Sequence, residues 1–142
     1  MAAIPFTDRE MQRAWLANLQ AYQHISSRSN PHRLLLFYAI ECGLKAVLMK
    51  RRSVNCTSHC QEIIEAKHNI NKLLDALSAG QSLKLPNYFN MTQINDKGVK
   101  QARKLDPGKV NQMWRYGGRA LETIDRSGER KPLTDGSFDI LW

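Results

Sequence analysis

The chain is short of the features that usually announce a function. Its three cysteines, Cys42, Cys56 and Cys60, are odd in number, and one lies inside an apolar stretch. That excludes a disulfide framework and points to a reducing, cytoplasmic compartment. No basic region followed by an apolar run opens the N-terminus, so no signal peptide is expected. The longest apolar run, Leu34 to Met49, is too short for a membrane span and is interrupted by Glu41 and Lys45. There is no Gly-rich phosphate loop, no nucleophile elbow and no His-Glu-x-x-His. No segment alternates convincingly with period two, and there are no repeats. Acids are also scarce: 13 Asp and Glu stand against 21 Lys and Arg in 142 residues, a net charge of +8. Such an excess favours polyanionic partners such as nucleic acid, nucleotides or an acidic protein surface.

What is present reads as helix. Thr7-Asp8-Arg9-Glu10 is a capping box, followed by Met11, Trp15, Leu19, Tyr22 and Ile25 on one apolar stripe. Ser26 to Ser29 is a polar turn, and Asn30-Pro31 starts a second helix. That helix is apolar all round and ends in Lys50-Arg51-Arg52, so it should be covered on nearly every side. A short helix is expected through Ile63 and Ile64. His68-Asn69 opens a clearer one with Ile70, Leu73, Leu74 and Leu77 on one face and Gly80 as its stop. Asn95 to Leu105 reads as a further short helix, stopped by Asp106-Pro107-Gly108. A last helix from Lys109 carries Val110, Met113, Trp114, Leu121 and Ile124. Its Gly117-Gly118 pair marks a kink, a break or a close approach of another backbone. The expected fold class is therefore all-α, an antiparallel bundle of four to five helices over residues 1–126, with 127–142 as a tail ending in Phe138-Asp139-Ile140-Leu141-Trp142.

Three constellations carry chemistry. Glu41 and Lys45, at i and i+4, share one face of the second helix. An exposed pair of this kind is worth only about 0.3–0.5 kcal/mol, but a buried carboxylate needs a partner. His68 stands where a later helix begins, placed to cap it, to meet Glu41 across the bundle or to move a proton. Arg115 has the planar fork that suits phosphate, and Trp114 and Tyr116 beside it can stack on a base. Around Arg115, residues 97–131 hold ten cations against four acids, +6 of the chain's +8. Cys56, His59, Cys60 and His68 carry the thiol and imidazole donors that zinc prefers. Their spacing matches no common site and two of them are adjacent, so neither a metal nor a cofactor is expected.

Tyr38-Ala39-Ile40-Glu41-Cys42-Gly43-Leu44-Lys45-Ala46-Val47-Leu48 resembles the second helix of HEPN domains. His68-Asn69-Ile70-Asn71-Lys72-Leu73-Leu74 is similar to that family's His-Asp-Leu-x-x-Leu-Leu stretch, and Arg115-Tyr116 to its Arg-Tyr pair near the last helix. The resemblance covers roughly residues 7–126. It implies a small helical bundle from a toxin, antiviral or nucleotidyltransferase-partner system. It also implies a homodimer whose polar sites face one another. In the nuclease branch it implies metal-independent RNA cleavage by an Arg-x4–6-His motif. Here every histidine (His24, His32, His59 and His68) precedes Arg115, and the one Arg-x6-His, Arg52 to His59, falls after the second helix.

Two functions follow. One is an RNA- or nucleotide-binding module with Glu41, Lys45, His68, Arg115, Tyr116 and Arg119 at a shared site, a ribonuclease if His68 carries the proton and Arg115 holds the phosphate. The other is a non-catalytic assembly subunit that docks its basic face and the tail Phe138–Trp142 on a larger partner.

Overall fold

The computed structural model describes residues 4–24 and 29–133. Thr7 opens α1 (Asp8–Gln23) as its sequence requires: its hydroxyl accepts from the Glu10 amide at 3.2 Å, and Glu10 accepts from the Thr7 amide at 3.0 Å. The segment before it is strapped to a distant loop. The Thr57 amide donates to the Phe6 carbonyl at 2.8 Å, and the Asp8 amide to the Asn55 carbonyl at 3.2 Å. α1 lies along α2 (Asn30–Arg52). They approach closely at Gly43, where a Cβ would sit 3.2 Å from the Trp15 indole. No residue of α1 is buried.

Ser29 caps α2, with Pro31 in its first turn and Lys50, Arg51 and Arg52 in its last. Arg51 donates to the Leu77 carbonyl at 2.9 Å and so ties α2 to the end of α4. The cover over α2 is less complete than its composition suggests. Phe37, Ala39, Glu41, Ala46, Leu48 and Met49 are buried, but Val47 is 43% exposed. α3 (Gln61–Ala66) and α4 (Ile70–Ala76) follow, the latter capped by Asn69, which accepts from the Lys72 amide.

From residue 88 onward the all-α, helical-bundle expectation is overturned. Tyr88–Asp96 and Val99–Leu105 are strands β1 and β2 of a hairpin, where a helix over 95–105 was expected. Lys97 and Gly98 both take positive φ, +53° and +83°, as the tight two-residue turn between twisted strands requires. After α5 (Val110–Arg115), Gly117 takes φ +75° and ends the helix, and Ala120–Ile124 becomes β3 rather than more helix. β4 (Arg130–Pro132) pairs with β3, within the segment set apart as a tail. The sheet is antiparallel, in the order β2-β1-β3-β4. The protein is thus mixed α/β. Leu121 and Ile124, placed on one helical face by the sequence, instead stand on a strand, Leu121 exposed and Ile124 half-buried. The expected tail cluster Phe138–Trp142 lies outside the described residues.

Two apolar clusters hold these parts to α2. One gathers Phe37, Ile70, Leu74, Leu85, Phe89, Val110, Met113, Trp114 and Ala120 between the helices and the sheet. The other, Leu48, Met49, Cys60, Ile63, Ala66, Leu73 and Leu77, is drawn from α2, α3 and α4 and the residues that cap them. Among the described residues no helix is long and apolar enough to cross a membrane.

Candidate functional site: a polar seam along the second helix

Tyr38, Glu41 and Lys45 stand at i, i+3 and i+7 on α2, so they form one row along the helix. Glu41 is 5% exposed, and a carboxylate so placed needs partners. It has two. His68 Nδ1 lies 2.7 Å from Oε1, and Lys45 Nζ lies 3.8 Å from Oε2. A carboxylate only accepts, so Nδ1 donates to it, and Nε2 is left for another partner. His68 itself is half exposed, with 51% of its side chain in solvent. The Lys67 backbone, at φ +53° between α3 and α4, turns the chain so that His68 reaches back to α2. The result is an imidazole oriented by a buried acid and open to solvent on its far side.

One turn earlier on α2, Arg115 Nη2 donates to the Tyr38 hydroxyl. That bond, then contact with Tyr116, raises the Arg115 pKa above its already high value, so the guanidinium is permanently charged. Arg115 is exposed and also stands 5.9 Å from the centre of the Tyr116 ring, which is itself 75% exposed. Along the inner flank of the row, burial and then the neighbouring Glu41 charge push the Cys42 thiol up to about 11.

The structure thus joins Glu41, Lys45 and His68 directly and brings Arg115 and Tyr116 to the same helix through Tyr38. Tyr38 is not among the candidate residues that the sequence offers. Its signal was its position, one turn before Glu41 on the same face. Arg119 is exposed in the loop before β3. The alternative pair does not form a unit: Arg52 bonds Glu62, while His59 lies in the rim of a cleft with Asp8, Lys50 and Asn55. Cys56, His59, Cys60 and His68 do not converge. Cys56 meets Ser58, and among the described residues no group of three or more His, Cys, Asp or Glu is arranged to hold a metal.

Two open clefts lie elsewhere. One of about 420 Å³ sits between α4 and the sheet, lined by Lys72, Lys84 and Arg126 among others, and one of about 580 Å³ lies beside the N-terminal strap. Neither contains the seam. His68, Arg115 and Tyr116 are open to solvent, while Glu41 is buried. No family model, no curated protein and no solved structure matches the chain.

Proposed function

We propose that the protein binds RNA and that the seam on α2 holds a phosphodiester between Arg115 and the Glu41–His68 pair. One observation carries the reading: an exposed imidazole fixed at 2.7 Å by the buried Glu41 carboxylate, with Tyr38, one turn earlier on the same helix, accepting from the exposed Arg115 guanidinium. The net charge of +6 over residues 97–131 supports a polyanionic partner. The resemblance to HEPN domains supports RNA among polyanions, a cytoplasmic setting and a pairing of two copies.

The same groups are suited to cleavage without metal. His68 Nε2 takes the proton of a 2′-hydroxyl, and the 2′ oxygen attacks phosphorus. The bond to the 5′ oxygen breaks, water supplies that oxygen's proton, and a 2′,3′-cyclic phosphate remains. Glu41 stabilises the imidazolium formed, and Arg115 the charge on phosphate.

The test incubates labelled tRNA and total RNA with the protein in EDTA and follows both band shift and cleavage. Arg115→Ala is expected to weaken binding about tenfold, the scale of one charge-assisted contact. His68→Ala is expected to abolish cleavage with thermal unfolding unchanged, and full cleavage by that variant removes His68 from the mechanism. A shift without cleavage in the native protein leaves binding and removes the nuclease step. Affinity that ignores salt counts against nucleic acid altogether. That last result would favour an assembly subunit that docks its basic face on a larger acidic partner.

A further inference from the structure

The β1–β2 hairpin does more than close the sheet. β3 pairs with β1 only over Tyr88–Met91, so beyond Met91 the hairpin has no neighbour in the sheet. Residues 92–102 are all exposed. From Met91 to the turn this arm reaches about 17 Å from the body, at roughly 3.3 Å per residue. A register shift between Met91 and Ile94 bends its root, and Arg103 fixes the bend by donating to the Thr92 carbonyl at 2.9 Å.

The two faces of the arm differ. Ile94 opposite Gln101 and Asp96 opposite Val99 share the side of the hairpin that faces the core further down. Ile94 is 42% exposed there and Val99 62%. Asn95 and Lys100 stand on the other face and Lys97 in the turn; Arg103, opposite Met91 at the root, continues the first face, and the arm's one acid, Asp96, lies on that face with Ile94 and Val99. The root of the arm lies against the seam's own corner. The Met91 methyl packs on Gly118, two residues beyond Tyr116, and a Cβ at Gly118 would overlap it.

We propose that this arm and the Arg115–Tyr116 corner together hold a single strand of RNA. The inference rests on the RNA reading of the seam. A single strand offers bases and phosphates at once. Apolar Ile94 and Val99 and the exposed Tyr116 ring meet the bases, while Lys97 and Lys100 meet the phosphates. A duplex hides its bases, and the deep, narrow major groove of double-stranded RNA does not admit side chains for readout. The apolar face of the arm would then have nothing to contact.

The test measures binding of a labelled 12-nucleotide single strand, and of a hairpin duplex of equal charge, to the full-length protein across a salt series. The native protein is expected to bind the single strand at least tenfold more tightly. Lys97→Glu/Lys100→Glu is expected to weaken it and to make the slope of log affinity on log salt shallower by about 1.4, the value for two lost phosphate contacts on a single strand. Ile94→Ser/Val99→Ser is expected to weaken binding about tenfold with the slope unchanged, the scale of apolar contact area lost from two aliphatic side chains. All four positions are exposed, so thermal unfolding should stay as in the native protein, which each assay verifies. Single-strand binding that both double variants retain overturns the arm and leaves the seam's reading standing. Equal affinity for the duplex overturns the single-strand assignment. Absence of any RNA binding by the native protein overturns the RNA reading itself.

Discussion

The two ends of α2 are buried in different ways. Around Leu48 and Met49 the cover comes from Cys60, Ile63, Ala66, Leu73 and Leu77, which follow α2 closely in the chain and are helical or in helix-flanking turns. Around Phe37 it comes from places as far apart as Ile70, Phe89, Val110, Trp114 and Ala120, drawn from helices and strands alike. The first kind of core is assembled from neighbours, and its pattern is visible in any window of the sequence. The second closes only when distant segments meet, and no short window contains it. The seam runs between the two, with Arg115 supplied from the distant side and His68 from the near side.

The largest blow to this arrangement is Phe37→Ala. Phe37 is fully buried and meets Trp114 edge-on, ring centres 5.7 Å apart. Its loss is expected to cost about 3–5 kcal/mol, read from urea unfolding. If the two cores form one cooperative unit, tryptophan fluorescence and helical circular dichroism will shift together, and separate midpoints would mean the clusters unfold independently.

A smaller effect distinguishes the halves. Gly118→Ala forces the Met91 methyl aside and brings a new carbon 3.3 Å from the Met113 carbonyl. The cost is expected to be about 1–3 kcal/mol, as for overpacking. Faster amide exchange should be confined to Tyr88–Met91 and β3, and exchange in α4 should not change.

Milder still is Asp125→Asn. Asp125 Oδ1 accepts from Ser127 Oγ at 2.6 Å and from the Ser127 and Glu129 amides, each at 2.9 Å. These bonds, the Ser127 side chain first, hold its carboxyl below the usual range. A depressed carboxyl contributes stability above its unfolded pKa and loses it as pH falls through the folded one. The gap in melting temperature between native protein and variant should therefore be constant at neutral pH and shrink below about pH 4.

The smallest effect leaves the fold untouched. With the Cys42 thiol pushed up to about 11, its alkylation by iodoacetamide at pH 8 is expected to be more than about a hundredfold slower than that of free cysteine. A rate near that of free cysteine would show that α2 opens on this side.

The same contrast decides what could be read in advance. The Thr7 box, the Asn30-Pro31 start and the helix opening at His68-Asn69 are local signals, and the structure places each within a position, with Ser29 rather than Asn30 as the cap of α2 and Asn69 rather than His68 as the cap of α4. The pairing of His68 with Glu41 was one option on the sequence, because a buried carboxylate must find a partner and a histidine at a helix start is available. The sheet was missed for a physical reason. Past Met91 the hairpin has no buried face, so its residues carry no apolar alternation to reveal period two. The legible signal was chemical instead: Asp96-Lys97-Gly98 between β-forming residues, a tight-turn sequence. In β3, Ala120, Leu121, Thr123 and Ile124 kept an apolar spacing that a helix would also show, and only Gly117, at φ +75°, separates the two outcomes.

The exposed hairpin has a consequence for solubility. β2 is the outer strand of the sheet, and β1 is also unpaired on its other edge beyond Met91, so the arm presents two rows of open backbone donors and acceptors. Such edges invite another chain to add itself as a further strand, and charged side chains, lysine above all, are the usual guard against it. Lys97, Lys100 and Lys104 stand along that edge. Replacing them with neutral residues would leave an uncharged ribbon bearing Ile94 and Val99, a template for self-association. Replacing them with glutamate would keep the edge guarded while reversing its sign.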